Sequence, residues 1–306
     1  MTKILVATDK PFAKIAVDGI RKEIESAGFS LVLLEKYTEK QQLLDAVADV
    51  DALIVRSDII DSEVIGAAKN LKIVVRAGAG FDNIDLNAAT AAGVCVMNTP
   101  GQNSNAVAEL VFGLLVYAVR NFFNGSSGTE LKEKRLGIHA YGNVGRNVAR
   151  IARGFGMEIY AYDPFLKAED IEKEGIKAVG SAEELYSTCN VVSLHIPATA
   201  ETKNSINFQL LNRMPKGGIL VNTARKEVIN EQEMINFLAE RTDCKYVTDI
   251  LPGNHAEMQE KFAARYFSTP QKMGAQTAEA NINAGIAAAR QIVDFLKTGN
   301  QQFRVN

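Results

Sequence analysis

Short runs of consecutive apolar residues alternate with segments whose apolar positions recur every three or four residues, from one end of the chain to the other. Lys3 to Ala7, Ser30 to Leu34, Ala52 to Val55, Ile73 to Arg76 and Val94 to Met97 have the length and composition of buried strands. Lys14 to Ala27 has the helical period and is closed by Gly28, and Lys40 to Ala48 predicts a second helix. A long apolar helix is expected over Asn105 to Arg120, followed by a polar loop, Asn121 to Gly128. A second series then begins, with strands near Leu136–Tyr141, Ile159–Tyr162, Val191–His195, Ile219–Asn222 and Tyr246–Ile250. A last helix runs from about Thr277 to Lys297. Continuous apolar strands joined by helical crossovers predict an α/β protein with parallel sheets covered by helices on both faces.

The 306 residues suffice for two domains. The formal net charge is -2 and there is no lysine- or arginine-rich run, so no basic face for nucleic acid is expected. Cys95, Cys189 and Cys244 are far apart, odd in number and form no CxxC pair. They predict buried thiols, with no disulfide framework and no metal site. The opening Met1-Thr-Lys-Ile-Leu-Val has no signal-peptide core, and no stretch reaches the roughly 20 apolar residues of a membrane span. A cytoplasmic protein without membrane contact is expected.

Chemistry first shows at the strand-to-helix junction Leu136-Gly-Ile-His-Ala-Tyr-Gly-Asn-Val-Gly145. On the GxGxxG template the three glycine positions fall on Ala140, Gly142 and Gly145. Gly142 lets the backbone approach a pyrophosphate, and Gly145 lets the helix pack close to the strand. Free N–H groups at the helix start suit phosphate charge. Alanine at the first position requires the turn to keep φ negative there. The motif alone is weak, since glycines often only cap helices. Asp163, at the end of the next strand, strengthens it: a carboxylate there accepts hydrogen bonds from ribose hydroxyls and repels a 2′-phosphate, so NAD rather than NADP is expected.

Further segments occur in order: Arg76-Ala-Gly-Ala-Gly-Phe-Asp-Asn-Ile-Asp85, Val96-Met-Asn-Thr-Pro-Gly-Gln-Asn-Ser, Ser193-Leu-His-Ile-Pro197, Val221-Asn-Thr-Ala-Arg225 and Gly274-Ala-Gln-Thr277. Together with the glycine loop they resemble the D-2-hydroxyacid dehydrogenase family, its phosphoglycerate-oxidising branch in particular. The resemblance implies two doubly wound, Rossmann-like parallel-sheet domains with a cleft between them. One is a substrate-binding domain, 1–99 with 276–306, and the other an NAD-binding domain, 100–275. It implies a homodimer, with the helix Asn105 to Arg120 as a dimer element. It places Gly78, Ala79 and Gly80 on the substrate carboxylate through backbone N–H groups, with Arg56 and Asn103 also on the substrate side. It places Tyr141, Gly142, Asn143, Val144, Gly145, Asp163, His195, Pro197, Thr223, Asp249 and Gly274 on the cofactor. An ordinary glycine turn at residues 78–80 and a packed core histidine at 195 are the plainer readings.

The resemblance makes Arg225 catalytic: its planar guanidinium suits both the carboxylate and the C2 oxygen of a small 2-hydroxy acid. The family's proton-transfer histidine, in a Pro-His-x-Gly pattern, has no counterpart in Thr269-Pro-Gln-Lys-Met-Gly274. Counting back from Gly274 puts Lys272 on that position, and counting forward from Pro270 puts Gln271 there. Lysine carries a proton and glutamine does not, so Lys272 is the expected acid–base group. The family's supporting glutamate falls on Asn254, with Glu257 the nearest carboxylate but wrongly spaced. A carboxylate beside a lysine would raise its pKa, whereas Arg225 and partial burial would lower it. The expectation is therefore a lysine without a carboxylate neighbour. His255 lies outside the family's motif positions.

These readings lead to NAD-dependent oxidation of D-3-phosphoglycerate to 3-phosphohydroxypyruvate, the entry to serine biosynthesis. The alternatives are a dehydrogenase of the same family acting on glyoxylate or hydroxypyruvate, and a non-catalytic NAD-binding interaction protein, to which the missing histidine and glutamate point. A regulatory extension beyond Asn306, and inhibition by serine through one, are not expected.

Overall fold

The computed structural model describes residues 2–306, which form two compact units. The first runs to Asn103 and takes in Gln276–Asn306; the second is Ser104–Ala275.

In the first unit, β1 (Lys3–Thr8), β2 (Ser30–Glu35), β3 (Ala52–Val55), β4 (Ile73–Arg76) and β5 (Cys95–Asn98) form one parallel sheet in the order β2-β1-β3-β4-β5. Successive side chains of a strand point to opposite faces, and both faces here are buried. Ile4, Val6 and Ile54 pack with Ile20, Ile24, Ala288 and Ile292 of the helices Lys14–Ser26 and Ala278–Thr298. Leu5, Ala7, Leu53 and Val55 pack with Leu43, Val64 and Ala89 of the helices on the other side. The long final helix starts where the Thr277 hydroxyl accepts the Ala280 N–H (3.1 Å) and stops at left-handed Gly299 (φ 76°).

The second unit adds β6 (Arg135–His139), β7 (Glu158–Tyr162), β8 (Lys177–Ala178), β9 (Val191–Leu194), β10 (Ile219–Asn222), β11 (Lys245–Thr248) and β12 (Tyr266–Ser268). They form a parallel sheet in the order β12-β11-β10-β9-β6-β7-β8. Strand order reverses between β6 and β9. In open α/β sheets ligands bind outside the carboxyl ends of the strands at such a point. The two faces again take alternate residues: Ile138, Val221 and Val247 on one side, Val192, Leu220 and Tyr246 on the other. The apolar helix is Ser104–Val119.

Two strands were not visible in the sequence pattern. β8 has two residues and β12 three, and both lie at sheet edges, where little burial forces a pattern. The three cysteines are buried and unpaired, and burial pushes the Cys189 and Cys244 thiols up, to about 12 and about 11. Among the described residues no group of histidine, cysteine and carboxylate side chains could hold a metal, and no helix is long and apolar enough to cross a membrane.

Candidate active site

The dinucleotide loop follows β6. Ala140 adopts φ +78°, so the expectation of a negative φ at this alanine is wrong. The left-handed turn that glycine normally makes is kept here despite the Cβ. Neighbours over-determine it: the Ala140 N–H donates to the Tyr162 carbonyl (2.9 Å) and the Tyr141 N–H to Asp163 Oδ2 (2.9 Å). The Tyr141 side chain is buried, and its hydroxyl donates to Glu174 Oε2 (2.9 Å), so it anchors the loop from beneath. Arg146 stacks on the Tyr141 ring and pairs with Glu174.

The helix Asn143–Gly154 then begins with no side-chain cap at Gly142. Its first N–H groups, from Gly142 through Asn143 and Val144 to Gly145, donate to no protein acceptor among the described residues. A Cβ added at Gly142 would meet nothing within 4 Å. At Gly145 it would meet the Ala140 carbonyl oxygen at 2.5 Å and Ile138 Cγ2 at 2.9 Å. One glycine leaves open space before the free amides, and the other lets helix and strand touch. The arrangement suits a bound phosphate.

Beside it opens a cavity of about 850 Å³ at the β6–β9 switch point. Gly142, Asp163, His195 and Pro197, all expected on the cofactor, line it together with Ala140. Asp163 is oriented by two backbone donors, Tyr141 N–H on Oδ2 and Phe165 N–H on Oδ1 (2.9 Å each). His139 also lines the cavity, as do Tyr162 and the exposed Phe165; the sequence reading gave none of these a role. Burial pushes His139 down to about 4 and His195 to about 3, so both rings are neutral at physiological pH. His195 Nε2 lies 3.0 Å from the Ser193 hydroxyl. His195 is thus neutral, hydrogen-bonded to Ser193 and part of the cavity lining.

The carboxyl ends of β10 and β11, with the segment after β12, carry the second group. Buried Asn222 shapes the first loop: its Oδ1 accepts the Ala224 N–H (2.9 Å) and its Nδ2 donates to the Arg225 carbonyl (3.0 Å). Arg225 Nη1 and Lys272 Nζ both donate to the Ala224 carbonyl, at 2.9 and 3.4 Å. The two expected catalytic cations therefore converge on one oxygen. Asp249 is fully buried, and its Oδ2 accepts the N–H groups of Gly274 (2.6 Å) and Met273 (3.2 Å). Its Oδ1 has no partner, nor has the buried hydroxyl of Thr223 on the adjacent strand end. An unpaired buried polar atom is costly. Two of them at neighbouring strand ends fit the polar carboxamide of a nicotinamide, so the donor set matches NAD.

Two expectations about Lys272 need correction. Its side chain is exposed rather than partly buried. A carboxylate does stand within electrostatic reach: burial raises the Asp249 pKa, while the Gly274 N–H and the Lys272 charge oppose that rise. Asn254 Nδ2 donates to the Glu231 carbonyl (2.9 Å), and Glu257 pairs with Lys261 (2.6 Å). His255 Nδ1 lies 2.8 Å from the Tyr266 hydroxyl.

In the first unit, Arg56 is tied inward. Nη1 donates to the carbonyls of Lys10 (2.8 Å) and Pro11 (3.2 Å), Nη2 to Asn281 Oδ1 (2.7 Å), and the group sits over the Phe12 ring. Gly78 has φ +156°, which favours glycine, and a Cβ there would displace the Arg76 guanidinium. Its N–H donates to the Arg76 carbonyl (2.8 Å), whereas those of Ala79 and Gly80 donate to no described acceptor. Of the three amides, only the latter two are thus left for an anion. Arg76 Nε donates to the Arg56 carbonyl (3.0 Å) and joins these two expected substrate elements. Asn103 ends the unit and makes no hydrogen bond to them among the described residues.

Comparison with known proteins agrees with this geometry. The profile of the D-isomer specific 2-hydroxyacid dehydrogenase, NAD binding domain, matches residues 118–270. The chain is 34% identical over 273 residues to a D-3-phosphoglycerate dehydrogenase of Methanocaldococcus jannaschii, covering 84% of this chain and 52% of that one. It is 32% identical over 310 residues to a hydroxypyruvate reductase of Thermotoga maritima, covering 95% and 98%. It spans about half the length of the curated phosphoglycerate dehydrogenases it matches. Among solved structures, the NAD+-bound 3-phosphoglycerate dehydrogenase of Entamoeba histolytica superposes with a TM-score of 0.88 at 48% identity, covering 100% of this chain and 98% of that one. The chain belongs to the D-isomer specific 2-hydroxyacid dehydrogenase family and carries its NAD-binding domain. NAD is the cofactor.

Proposed function

We propose that the protein oxidises D-3-phosphoglycerate to 3-phosphohydroxypyruvate with NAD. The observation that carries this reading is the convergence of Arg225 and Lys272 on the Ala224 carbonyl, beside the half-paired carboxylate of Asp249. NAD, when bound, accepts the hydride from C2. Arg225 grips the substrate carboxylate and C2 oxygen through its planar fork. Lys272, when unprotonated, takes the C2 hydroxyl proton at Nζ; an ordinary lysine titrates near about 10.4, so oxidation speeds up as pH rises. Asp249 offers Oδ1 to the cofactor and keeps Oδ2 on the Gly274 amide, which orients the segment bearing Lys272. The Ala79 and Gly80 amides and Arg56 serve the substrate from the first unit. Full-length similarity to an NAD+-bound 3-phosphoglycerate dehydrogenase supports the choice of substrate.

Hydroxypyruvate or glyoxylate reduction is the second reading, favoured by the full-length match to a hydroxypyruvate reductase and by the inward ties of Arg56, which leave a phosphate fewer donors. NAD-coupled turnover of 3-phosphoglycerate against NADH-coupled turnover of hydroxypyruvate and glyoxylate separates them. Turnover of the unphosphorylated acids alone would overturn the phosphoglycerate reading. NADH binding without turnover of any of them would leave the non-catalytic reading. A homodimer in the cytoplasm is part of the proposal, and its mass in solution checks the first half.

A further inference from the structure

The cavity at the switch point carries more negative charge than holding a ribose requires. Asp163, Glu183 and Glu201 line it, no lysine or arginine does, and its two histidines are neutral. Glu201 bonds back to its own loop, at Thr199 and its own amide. Glu183 differs: it lines the cavity from the start of the helix Ala182–Thr188, as Asp163 does from the end of β7, and His139 in the same lining feels the charge of both. We infer that Glu183 is a second determinant of cofactor choice, acting with Asp163 to bar a 2′-phosphorylated dinucleotide. The inference rests on the cavity being the adenosine end of the NAD site.

The physics is like-charge repulsion, partly screened because Glu183 is exposed to solvent. A phosphate monoester carries about -1.5 to -2 charges at pH 7, and each carboxylate facing it adds its own cost. Glu183 is reliably charged: its own backbone N–H and the Ser181 hydroxyl hold its carboxyl below the usual range, and Arg213 adds attraction. Neutralising Glu183 therefore removes a repulsion. Neutralising Asp163 alone leaves Glu183 in place, so the two changes add.

The test is titration of the purified chain with NADH and with NADPH, followed by nicotinamide fluorescence. The two ligands differ only in the 2′-phosphate. Wild type, Glu183→Gln, Asp163→Asn and the double variant are compared by the ratio of the two dissociation constants. Glu183→Gln is expected to shift that ratio about tenfold toward NADPH, from Coulomb interaction at partly screened range. The shift should shrink as ionic strength rises from about 0.01 M toward about 1 M, and the double variant should exceed either single one. An unchanged ratio, or an equal loss of affinity for both ligands, would overturn the role of Glu183 while leaving the cofactor site intact. Wild type that binds neither ligand would overturn the cofactor-site reading, and this inference with it.

Discussion

The carboxyl edge of the second sheet carries opposite charge at its two ends. Around β6, β7 and β9, carboxylates and neutral histidines line a cavity without a cation. Past β10, β11 and β12, a guanidinium and an ammonium meet at one carbonyl, with a buried carboxylate beside them. One sheet thus presents two electrostatic surfaces a few strands apart. The difference lies in the loops, since β6 and β10, one from each end, run in the same direction and are both largely buried. On the proposals above, the negative end would sort cofactors by what it repels, and the positive end would take hold of an acid and move its proton. If the two ends are separate devices, a change at one should leave the other's readout standing.

The largest effect is expected at the positive end. Lys272→Ala should lower NAD-coupled oxidation of 3-phosphoglycerate by about 10²–10⁴-fold, the usual weight of a positioned acid–base group. It should also abolish the rise in rate between about pH 7 and pH 10, with NADH binding retained. Arg225→Ala should cost about 10²–10³-fold, the weight of one charge-stabilising donor, and Arg225→Lys should restore little because the fork is lost. An alkaline limb that survives in Lys272→Ala would remove the lysine from the proposal. Equal loss of NADH binding would break the separation of the two ends.

Next in size is the junction of loop and helix at the negative end. In Gly145→Ala the new methyl meets a backbone carbonyl at 2.5 Å, which cannot yield as a side chain would. The helix Asn143–Gly154 must shift, at a cost of about 1–3 kcal/mol, and the free amides move with it. A lowered denaturant midpoint together with weakened NADH binding is expected. An unchanged midpoint would mean that helix and strand are not in contact there.

Asp249 sharpens the comparison from the stability side. Its folded pKa is raised, with burial the main cause. A group of this kind contributes stability that is present below its unfolded pKa and lost as pH rises through the folded one. Asp249→Asn should therefore be more stable than wild type at neutral pH, by roughly 2 °C in Tm, with the gain fading toward the ordinary aspartate value of 3.8. NADH affinity should fall in the same variant, because the amide that replaces the carboxylate no longer offers two acceptor oxygens. A variant less stable at every pH would show that the buried carboxylate is a structural asset.

Much of this was legible in the residues. Runs such as Ala52–Val55 and Ile219–Asn222 are buried on both faces, so burial alone writes them into the sequence. The strand ends at Asp163 and Arg225 could be placed because their motifs sit at fixed offsets from such runs. The charge around Lys272 could not. Asp249 approaches it only because β11 and the segment after β12 lie side by side, a pairing made by the three-residue β12, which no periodicity reveals. The inward ties of Arg56 were hidden for a similar reason, since its partner Asn281 is 225 positions away.

The smallest effect tests the strangest turn. Ala140 holds φ +78° with its side chain packed against a core cluster, whereas Gly78 combines a positive φ with a guanidinium packed where a Cβ would go. Alanine is therefore tolerated at 140 at the cost of backbone strain, about 1–2 kcal/mol for an L-residue in this region. Ala140→Gly removes that strain but makes the unfolded chain more flexible, which costs about 0.4–1 kcal/mol. The two nearly cancel, with strain the larger, so a gain of about 0.5 kcal/mol in a urea titration is expected. NADH binding should strengthen slightly or not at all, because Tyr141, Asp163 and Glu174 already hold the loop in place. A clear loss of stability would mean that the Ala140 methyl packs in the core beside β6 and that this packing outweighs the strain.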